Sequence, residues 1–523
     1  MSTIPALAYN DAEKGTLDLH SPQLANLAKD EKKAADIEVF AVQSLKKDAP
    51  VTPSNVAKPP PAPVKPAKHK TPLWVLWIIW YNSYRRFFTV VFTVNFIGLG
   101  FAIAGKWPYA AKYPGALVVG NLNVSVLVRN EIFGRCLYLF VNTFFAKWTP
   151  LYFRLGCTST LQHLGGIHSG CAISGVAWII LMVVHQFKEK YLFNDSILAF
   201  GIITTIVLFI TICAGLPWVR NTHHNVFERN HRFFGWTSLC MTWIYTIVTN
   251  AYDTADGKFD HVGRYVVQQQ AFWYTIGMST FIVLPWICTR HAKVDIELPS
   301  PKVAVLRFER GMQQGLLARI SRSAVKEYHA FGIISEGTHA KYHYLICGVQ
   351  GDFTKSLVND PPRRIWTREL KVAGVSNTSR LYKRGIRICT GTGLGAALST
   401  CIQSPYWYLI WIGATIWTSG ICISLTFLQA LIKKRLSAQP LVVSFTDTLV
   451  KSVSSFGTSK LRGGRPPTMK ILKEVYEYWQ AEVVFITSNY VGNFEIQHGC
   501  KEAGIPCFGT LWDFVSDPPE FSR

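Results

Sequence analysis

Residues 387–400 read RICTGTGLGAALST, and this stretch decides how the second half of the chain is interpreted. Three glycines, Gly391, Gly393 and Gly395, alternate with other residues after a β-branched pair and before a run of small side chains. Glycines between a strand and a helix let the main chain approach a pyrophosphate, which the helix N-terminus attracts. The alternative is a tight strand-to-helix turn without a ligand, and the glycines alone do not decide between the two.

The composition of the chain is typical of a membrane protein. Of its 523 residues, 49% are hydrophobic and only 16% are charged, against about 25% charged residues in soluble domains. Lys and Arg exceed Asp and Glu by 54 − 32 = 22. These basic residues cluster beside apolar segments, as in WYNSYRRFF at 80–88, which favours a membrane surface over nucleic-acid binding. We therefore predict the lipid bilayer as a partner and no nucleic acid.

The N-terminal residues 1–72 are predicted to form a disordered cytosolic tail. They are polar and include the Pro/Lys-rich run KPPPAPVKPAKHK at 58–70, which cannot bury a core. The first apolar run comes only after this tail, so we expect no cleaved signal peptide and a first membrane helix that acts as the targeting signal. The twelve cysteines include no CxxC pair, so we expect neither a disulfide framework nor a zinc site.

Residues 73–292 are predicted to form a six-helix transmembrane domain, since a span needs about 20 apolar residues. The second span is interrupted by charged residues. The predicted segments are Phe87–Ala104, one within Leu117–Phe145, Thr160–His185, Ile197–Ala214, Phe233–Thr249 and Ala271–Cys288. The basic loops fall on one side of these spans and the acid-rich loop at 251–264 on the other. This bias predicts a multi-pass integral membrane protein with both termini in the cytosol.

The pattern after Lys293 changes to that of a soluble protein. Residues 293–380 alternate apolar and polar side chains, which predicts a small antiparallel β domain, and 381–523 predict a strand–turn–helix α/β domain. Residues 404–432 contain no charged side chain and by length alone would form a seventh membrane helix. We interpret their beginning, YWYLIWIGA, as a buried parallel strand followed by a turn and an apolar helix.

Two motifs upstream of the glycines suggest a family. KEYHAFGIIS at 326–335 and GVQGDFTKSL at 348–357 follow six predicted helices with internal histidines. This order resembles the ferric reductase and NADPH oxidase superfamily, and more closely the fungal TmpA-like integral membrane flavoproteins. That family also supplies membrane-flavin tails on some adenylate-forming enzymes, although we expect no adenylate-forming domain in this chain. The resemblance covers about residues 75–523 and includes GGRPP at 463–467, VVFITSN at 483–489 and GIPCFGTLWD at 504–513.

The resemblance implies a ferredoxin-reductase-like pair, in which a β-barrel FAD domain precedes an α/β NAD(P)-binding domain. The implied cofactor-binding residues are His329, Phe331, Gly351 and Thr354 for FAD, and Gly391, Gly393, Gly395 and Trp512 for the pyridine nucleotide. Two positions depart from the pattern. Gly332 stands where the superfamily usually has Ser or Thr beside the flavin ring, and TIWTSG at 415–420 lacks the Arg or Lys of related proteins. The first departure removes a hydroxyl that would tune the flavin.

Haem-bearing relatives hold two haems between paired histidines on two helices. The third segment of this chain offers His168 and His185, but the fifth has no histidine after His231. The sequence therefore predicts at most one b-type haem, with iron ligands His168 and His231, or His224 in place of the latter. The alternative is that these histidines are interfacial or hydrogen-bonded within the bundle, although ionisable residues in a membrane are candidates for function.

The leading hypothesis is a membrane-anchored flavoprotein oxidoreductase that passes hydride from NAD(P)H to FAD on the cytosolic face. The cofactors would supply the redox chemistry, and the sequence leaves the acceptor open. The alternative hypothesis is a non-catalytic membrane signalling or scaffold protein with a degenerate flavin and nucleotide site, which Gly332 favours.

Overall fold

The computed structural model describes residues 72–412, apart from residue 262, and residues 467–510. The first part is helical, with the elements α1 Leu73–Trp80, α2 Ser83–Ile103, α3 Pro108–Lys112, α4 Pro114–Leu127, α5 Glu131–Phe144, α6 Leu151–Gln162, α7 Gly165–Lys188, α8 Asp195–Ala214, α9 Pro217–Thr222, α10 His224–Ala251, α11 Arg264–Gln268 and α12 Gln270–Ile287. Among the described helices, α2, α7 and α8 are long and apolar enough to cross a membrane.

Two cavities lie among the helices, and at each of them some helices begin and others end. The larger, of about 1680 Å³, is lined by the beginnings of α2, α7 and α10 and the ends of α4, α8 and α12. We call it the junction cavity. The smaller, of about 370 Å³, is lined by the beginnings of α4 and α12 and the ends of α7 and α10. This alternation is that of an up-and-down helix bundle.

The predicted second span within Leu117–Phe145 is wrong as a single helix. The chain breaks between α4 and α5, where the Asn130 side chain accepts hydrogen bonds from the main-chain N–H groups of Ile132 and Phe133 and so caps α5. The α5 helix then packs against the domains that follow the bundle in the chain, where Asn142 Nδ2 donates to Asn377 Oδ1 at 2.9 Å. The charged residues that interrupt the predicted span thus mark where the chain leaves the bundle.

The predicted third span, Thr160–His185, also begins too early. Its first residues belong to the separate helix α6, and α7 starts only at Gly165. The α6 helix docks on the soluble part through Arg154, which is 3% exposed and bonds both carboxylate oxygens of Glu482, at 2.7 and 2.9 Å. Thr158 adds a hydrogen bond of 2.7 Å to the Tyr382 hydroxyl. Together α5 and α6 join the bundle to both soluble domains.

The first soluble domain is a curled antiparallel β-sheet. Its elements are β1 Thr289–Lys293, β2 Asp295–Ser300, β3 Val303–Glu309, β4 Leu316–Ser321, β5 His329–Ile334, β6 Tyr342–Gly348, α13 Asp352–Asn359, β7 Arg364–Arg368 and β8 Val372–Ala373. The strand order is β1-β7-β4-β5-β6-β3-β2, with β8 beside β4. Because β1 and β2 stand at opposite edges of this sheet but are separated only by Val294, the sheet must curl until its edges approach. The predicted β-barrel-like domain is confirmed in this respect.

The second soluble domain is an α/β domain with a parallel sheet. Its elements are β9 Gly385–Thr390, α14 Leu394–Gln403, β10 Trp407–Ile412, α15 Thr468–Trp479, β11 Val483–Thr487, α16 Tyr490–Glu502 and β12 Cys507–Phe508, in the strand order β10-β9-β11-β12. The β10 strand pairs in parallel with β9 from Trp407 to Ile412. The predicted parallel strand is therefore confirmed over these residues, and the turn and helix predicted after it lie outside the described residues.

Candidate functional site

The glycine loop lies at the point where the strand order of the α/β sheet reverses. The chain leaves β9 towards β10 on one side, and β11 pairs with β9 on the other. In open α/β sheets, ligands bind at such a switch point, outside the carboxyl ends of the strands. There Thr390 at the end of β9 and Ser488 after β11 lie 2.8 Å apart, Oγ to Oγ. The glycine loop and these two hydroxyls thus face the place where this fold binds ligands.

The three glycines of the loop differ in what each position requires. Gly391 has φ +51° and open space where a side chain would stand, and its carbonyl accepts a hydrogen bond from the Trp411 indole at 3.1 Å. A Cβ at Gly393 would lie 2.5 Å from the carbonyl oxygen of Thr487, so no side chain fits. A Cβ at Gly395 would meet Ile346 at 3.5 Å, which is ordinary contact. The backbone angle favours glycine at 391, the close approach of Thr487 requires it at 393, and neither reason applies at 395.

The predicted flavin residues gather around the α13 helix of the barrel. His329 stacks on Phe353 with ring centroids 4.2 Å apart, and Phe331 lies 6.3 Å from the same ring. His329 and Phe331 lie on one face of β5, as alternate residues of a strand do. The structure thus brings the two predicted β5 residues to the first turn of α13, beside Gly351.

The Thr354 side chain is hydrogen-bonded within the turn that precedes α13. Its buried hydroxyl accepts hydrogen bonds from the N–H groups of Gln350 at 3.0 Å and Gly351 at 3.1 Å, and donates to the Gly351 carbonyl. The side chain therefore fixes the turn before α13. The N–H groups of the first helical turn, which have no partner within a helix, are left to bind an anion.

The barrel and the α/β domain meet at the glycine loop. A Cβ at Gly332 would lie 2.4 Å from the Cα atom of Ala396 in α14, and one at Gly348 would lie 2.8 Å from Thr392 Oγ1. Strands β5 and β6 therefore lie directly under the loop and the first turn of α14. The glycine at 332 follows from this close approach, which leaves no room for the Ser or Thr of the superfamily pattern.

Arg387, a buried arginine that was not among the predicted site residues, supports the glycine loop from the sheet. Arg387 in β9 is 1% exposed, and its Nη2 donates to the Ala396 carbonyl at 2.7 Å. Its guanidinium carbon lies 5.6 Å from the Phe485 ring centroid, and burial lowers the pKa of this residue. The sequence signal was a charged side chain among the apolar residues of a central strand. Arg387 holds the first turn of α14 against the sheet.

Two predicted histidines line the junction cavity. His168 on α7 donates from Nδ1 to the Ser125 carbonyl at 2.9 Å, and His231 on α10 donates from Nδ1 to the Thr211 carbonyl at 3.0 Å. Each neutral ring then keeps its lone pair on Nε2, which is the arrangement that second-sphere hydrogen bonds give to histidine ligands. His185 lies apart, at the smaller cavity, with Nδ1 3.6 Å from Glu189. Trp512 lies outside the described residues.

Comparison with known proteins gives one family model. The C-terminal domain of "Adenylate-forming reductase 03009" matches residues 375–514. Two curated relatives are adenylate-forming reductases 06235 and 03009 of Coprinopsis cinerea, each 28% identical over 83% of this chain. The chain spans 40% of the length of each relative.

Among solved structures, similarity is found with a flavohemoglobin from Malassezia yamatoensis with bound FAD and heme. It has a TM-score of 0.31 and 11% identity, over 76% of this chain and 98% of that one. A ferredoxin reductase in carbazole 1,9a-dioxygenase gives a TM-score of 0.29 and 10% identity, over 42% of this chain and 68% of that one. Both TM-scores are too low to establish a shared fold.

Proposed function

We propose that this chain is an NAD(P)H-dependent flavoprotein oxidoreductase anchored in a membrane, with its redox site on the cytosolic side. The observation that carries the proposal is the contact of the glycine loop with β6, at Thr392 and Gly348, together with the contact of the first turn of α14 with β5, at Ala396 and Gly332. A loop that cradles a pyridine nucleotide at the switch point thereby lies beside the strand that carries the flavin residues. Such adjacency is what hydride transfer between two bound cofactors requires.

The residues present fit both cofactors. For FAD, the free N–H groups of the first turn of α13 and the open space at Gly351 suit a pyrophosphate, beside His329 and Phe331. For the nucleotide, the open space at Gly391 lies at the end of β9, where the Thr390 and Ser488 hydroxyls are 2.8 Å apart. When bound, the two cofactors supply hydride chemistry. The chain's own part is to hold both rings in register and to keep the loop fixed through Arg387.

The membrane arrangement we propose is six passes with both termini in the cytosol. Three helices satisfy length and composition, and α4, α10 and α12 complete the alternation of helix ends at the two cavities. The barrel follows α12 directly, so it lies on the side of the junction cavity.

One b-type haem between His168 and His231 is a further part of the proposal. Both imidazoles line one cavity and both use Nδ1 for a main-chain carbonyl. A haem bound there would supply one-electron chemistry on the cytosolic half of the bundle. His185 does not line that cavity, so no second haem is proposed.

The match to the C-terminal domain of an adenylate-forming reductase supports a module that also occurs within longer proteins. We propose that the chain corresponds to such a membrane-flavin module, in agreement with the TmpA-like resemblance. The non-catalytic alternative rests on Gly332 and on the sequence at 407–418. Packing against Ala396 gives Gly332 a structural reason, and the alternative predicts a purified chain without flavin.

The decisive experiment is an absorbance spectrum of the detergent-purified chain before and after NADH or NADPH. We expect bound FAD that is reduced by one of the two nucleotides. Gly393→Val should abolish this reduction while FAD stays bound, because its side chain would meet Thr487. Gly100→Val, at an exposed position of α2 where a Cβ meets nothing within 4 Å, is the matched control and should remain active. Purified protein without flavin, or unchanged reduction in Gly393→Val, would refute the proposal.

A further inference from the structure

The junction cavity has a rim that belongs to two parts of the molecule. On the bundle side it is lined by residues from Leu76 to Thr89 and by Arg220 of α9. On the soluble side it is lined by α16, including Phe494 and Lys501, and by β12. With about 1680 Å³, it exceeds the roughly 300–1000 Å³ of ordinary small-molecule pockets. The cavity is therefore larger than one small ligand needs.

The charge of this rim has one sign. Arg85, Arg86, Arg220 and Lys501 line the cavity, and no Asp or Glu is among its lining residues in the described part of the chain. Arg232 also lines it and pairs with Glu228 at 3.2 Å. A cavity wall that carries cations and no carboxylate raises the local concentration of anions. The rim therefore favours an anionic ligand.

The deeper wall is apolar and continues into the bundle. Its side chains come from several of the helices and include Leu122, Val176, Leu208, Leu239, Met278 and Ile282. A ligand that fills both regions has a negatively charged head and a hydrocarbon body. A small hydrophilic anion would leave this apolar wall uncovered.

Aromatic side chains place the rim at the level of lipid head groups. The guanidinium of Arg85 lies 4.8 Å from the Trp80 ring centroid, and that of Arg86 lies 5.9 Å from the Tyr81 ring centroid. Trp and Tyr collect at membrane–water interfaces, and long basic side chains reach that level from helix ends. The rim thus opens where an acidic lipid of the cytosolic leaflet presents its phosphate.

We propose that the junction cavity binds an acidic phospholipid of the cytosolic leaflet. The phosphate lies at the rim formed by Arg85, Arg86, Arg220 and Lys501, and an acyl chain enters the bundle. Basic pockets between membrane helices on the cytosolic side are suited to such head groups. Because Lys501 belongs to α16, the lipid connects the α/β domain to the membrane bundle. The inference rests on the proposed membrane insertion.

The test uses the full chain in nanodiscs of phosphatidylcholine with a minor fraction of phosphatidic acid, followed by native mass spectrometry of the retained lipid. We expect selective retention of phosphatidic acid. Lys501→Gln and Arg86→Gln should each weaken retention about fivefold, whereas Lys501→Arg should preserve it. Lys473→Gln and Arg229→Gln remove a charge from exposed residues outside the cavity and should have no effect.

A second arm separates the lipid from its head group. Glycerol 3-phosphate should not displace the retained lipid, because it lacks the hydrocarbon body. Displacement by it, equal retention of both lipids, or equal effects of the rim and control variants would overturn the proposal. Insertion of the chain into the discs reports the membrane assignment separately. A chain that inserts but retains no acidic lipid refutes this inference alone.

Discussion

Gly332 on β5 and Ala396 on α14 lie so close that a Cβ atom at residue 332 would stand 2.4 Å from the Ala396 Cα atom. The two residues belong to different domains, one to the barrel and one to the nucleotide fold. Their approach brings the glycine loop onto the flavin strand, and a side chain at 332 would push the two domains apart.

Gly332→Ser restores the hydroxyl of the superfamily pattern and is expected to impair the protein. Overpacking against the main chain of α14 should lower the free energy of unfolding by about 1–3 kcal/mol and slow flavin reduction by NAD(P)H. Thermal unfolding and stopped-flow reduction measure the two effects. Gly134→Ala, where a Cβ meets nothing within 4 Å, is the control. Faster reduction in Gly332→Ser would show that the missing hydroxyl, and not packing, matters at this position.

The ion pair of Arg154 and Glu482 is expected to hold the α/β domain on α6. Arg154→Met leaves a partly buried carboxylate without its bidentate partner, which should cost about 3–5 kcal/mol. The double variant Arg154→Met/Glu482→Gln should recover part of this loss, because glutamine still accepts from the Lys383 N–H group, whereas the Thr149 and Leu381 carbonyls still lack the arginine donor. Thermal unfolding of the three proteins gives the comparison. A double variant no better than the single one would mean that charge burial is not the cause.

His343 is expected to make the barrel less stable in acid. Burial, together with the positive charges of Lys371 and Arg310, lowers the pKa of His343 to about 4 from 6.5, although its hydrogen bond to the Arg310 carbonyl opposes the shift. His343 is therefore protonated near pH 6.5 in the unfolded chain, but only near pH 4 in the folded chain. The free energy of unfolding is thus highest above pH 6.5. It declines as the pH falls towards 4, by at most roughly 3 kcal/mol.

Thermal unfolding measured from neutral pH down to about pH 4 tests this expectation. His343→Gln should flatten the dependence in that range, whereas His339→Gln, at an exposed position, should leave it unchanged. Equal slopes in all three proteins would contradict the assignment to His343.

The proposed haem site predicts different outcomes for two histidines of one helix. His168→Ala should remove any b-type haem signal, because this ring lines the junction cavity with His231. His185→Ala should leave the signal intact, because this ring lies at the smaller cavity. A pyridine haemochrome assay counts the haems, and we expect at most one per chain. Two haems per chain would contradict both expectations.

Tags at three places test the six-pass arrangement. An N-terminal tag and a C-terminal tag should both face the cytosol, and a tag in the 253–262 loop should be accessible only from the other side. Protease protection in sealed vesicles measures this directly. Opposite sides for the two termini would require a different number of passes.

The sequence predicted the structure best where a residue pattern has a single physical explanation. The glycine loop after β9 and the parallel strand at Trp407 were predictable, because a buried central strand must be apolar and a close turn must be glycine. The bundle was harder, because hydropathy does not show where an apolar helix turns onto another domain. Asn130, which interrupts the predicted second span and caps α5, was the available signal.

Other parts of the site depend on distant contacts and could not be predicted. Gly332 suggested a degenerate flavin site until its partner Ala396 was placed, and no local pattern links residues 64 positions apart. Thr354 has the residue type of a phosphate ligand, and no local pattern shows that its hydroxyl also accepts hydrogen bonds from the N–H groups of Gln350 and Gly351. Arg387 stands out in a strand only as a charge without an obvious purpose.

The contacts of α5 and α6 also bear on how such a chain is inherited. Asn142, Arg154 and Thr158 bury their polar groups against residues between 377 and 482. A recombination breakpoint between the bundle and the two following domains would leave these buried groups without partners. Each unpaired group would lower the stability of the new fusion protein. The bundle, the barrel and the nucleotide fold should therefore be gained or lost together in gene fusions. Sequence changes on the two sides of the contacts made by α5 and α6 should be correlated.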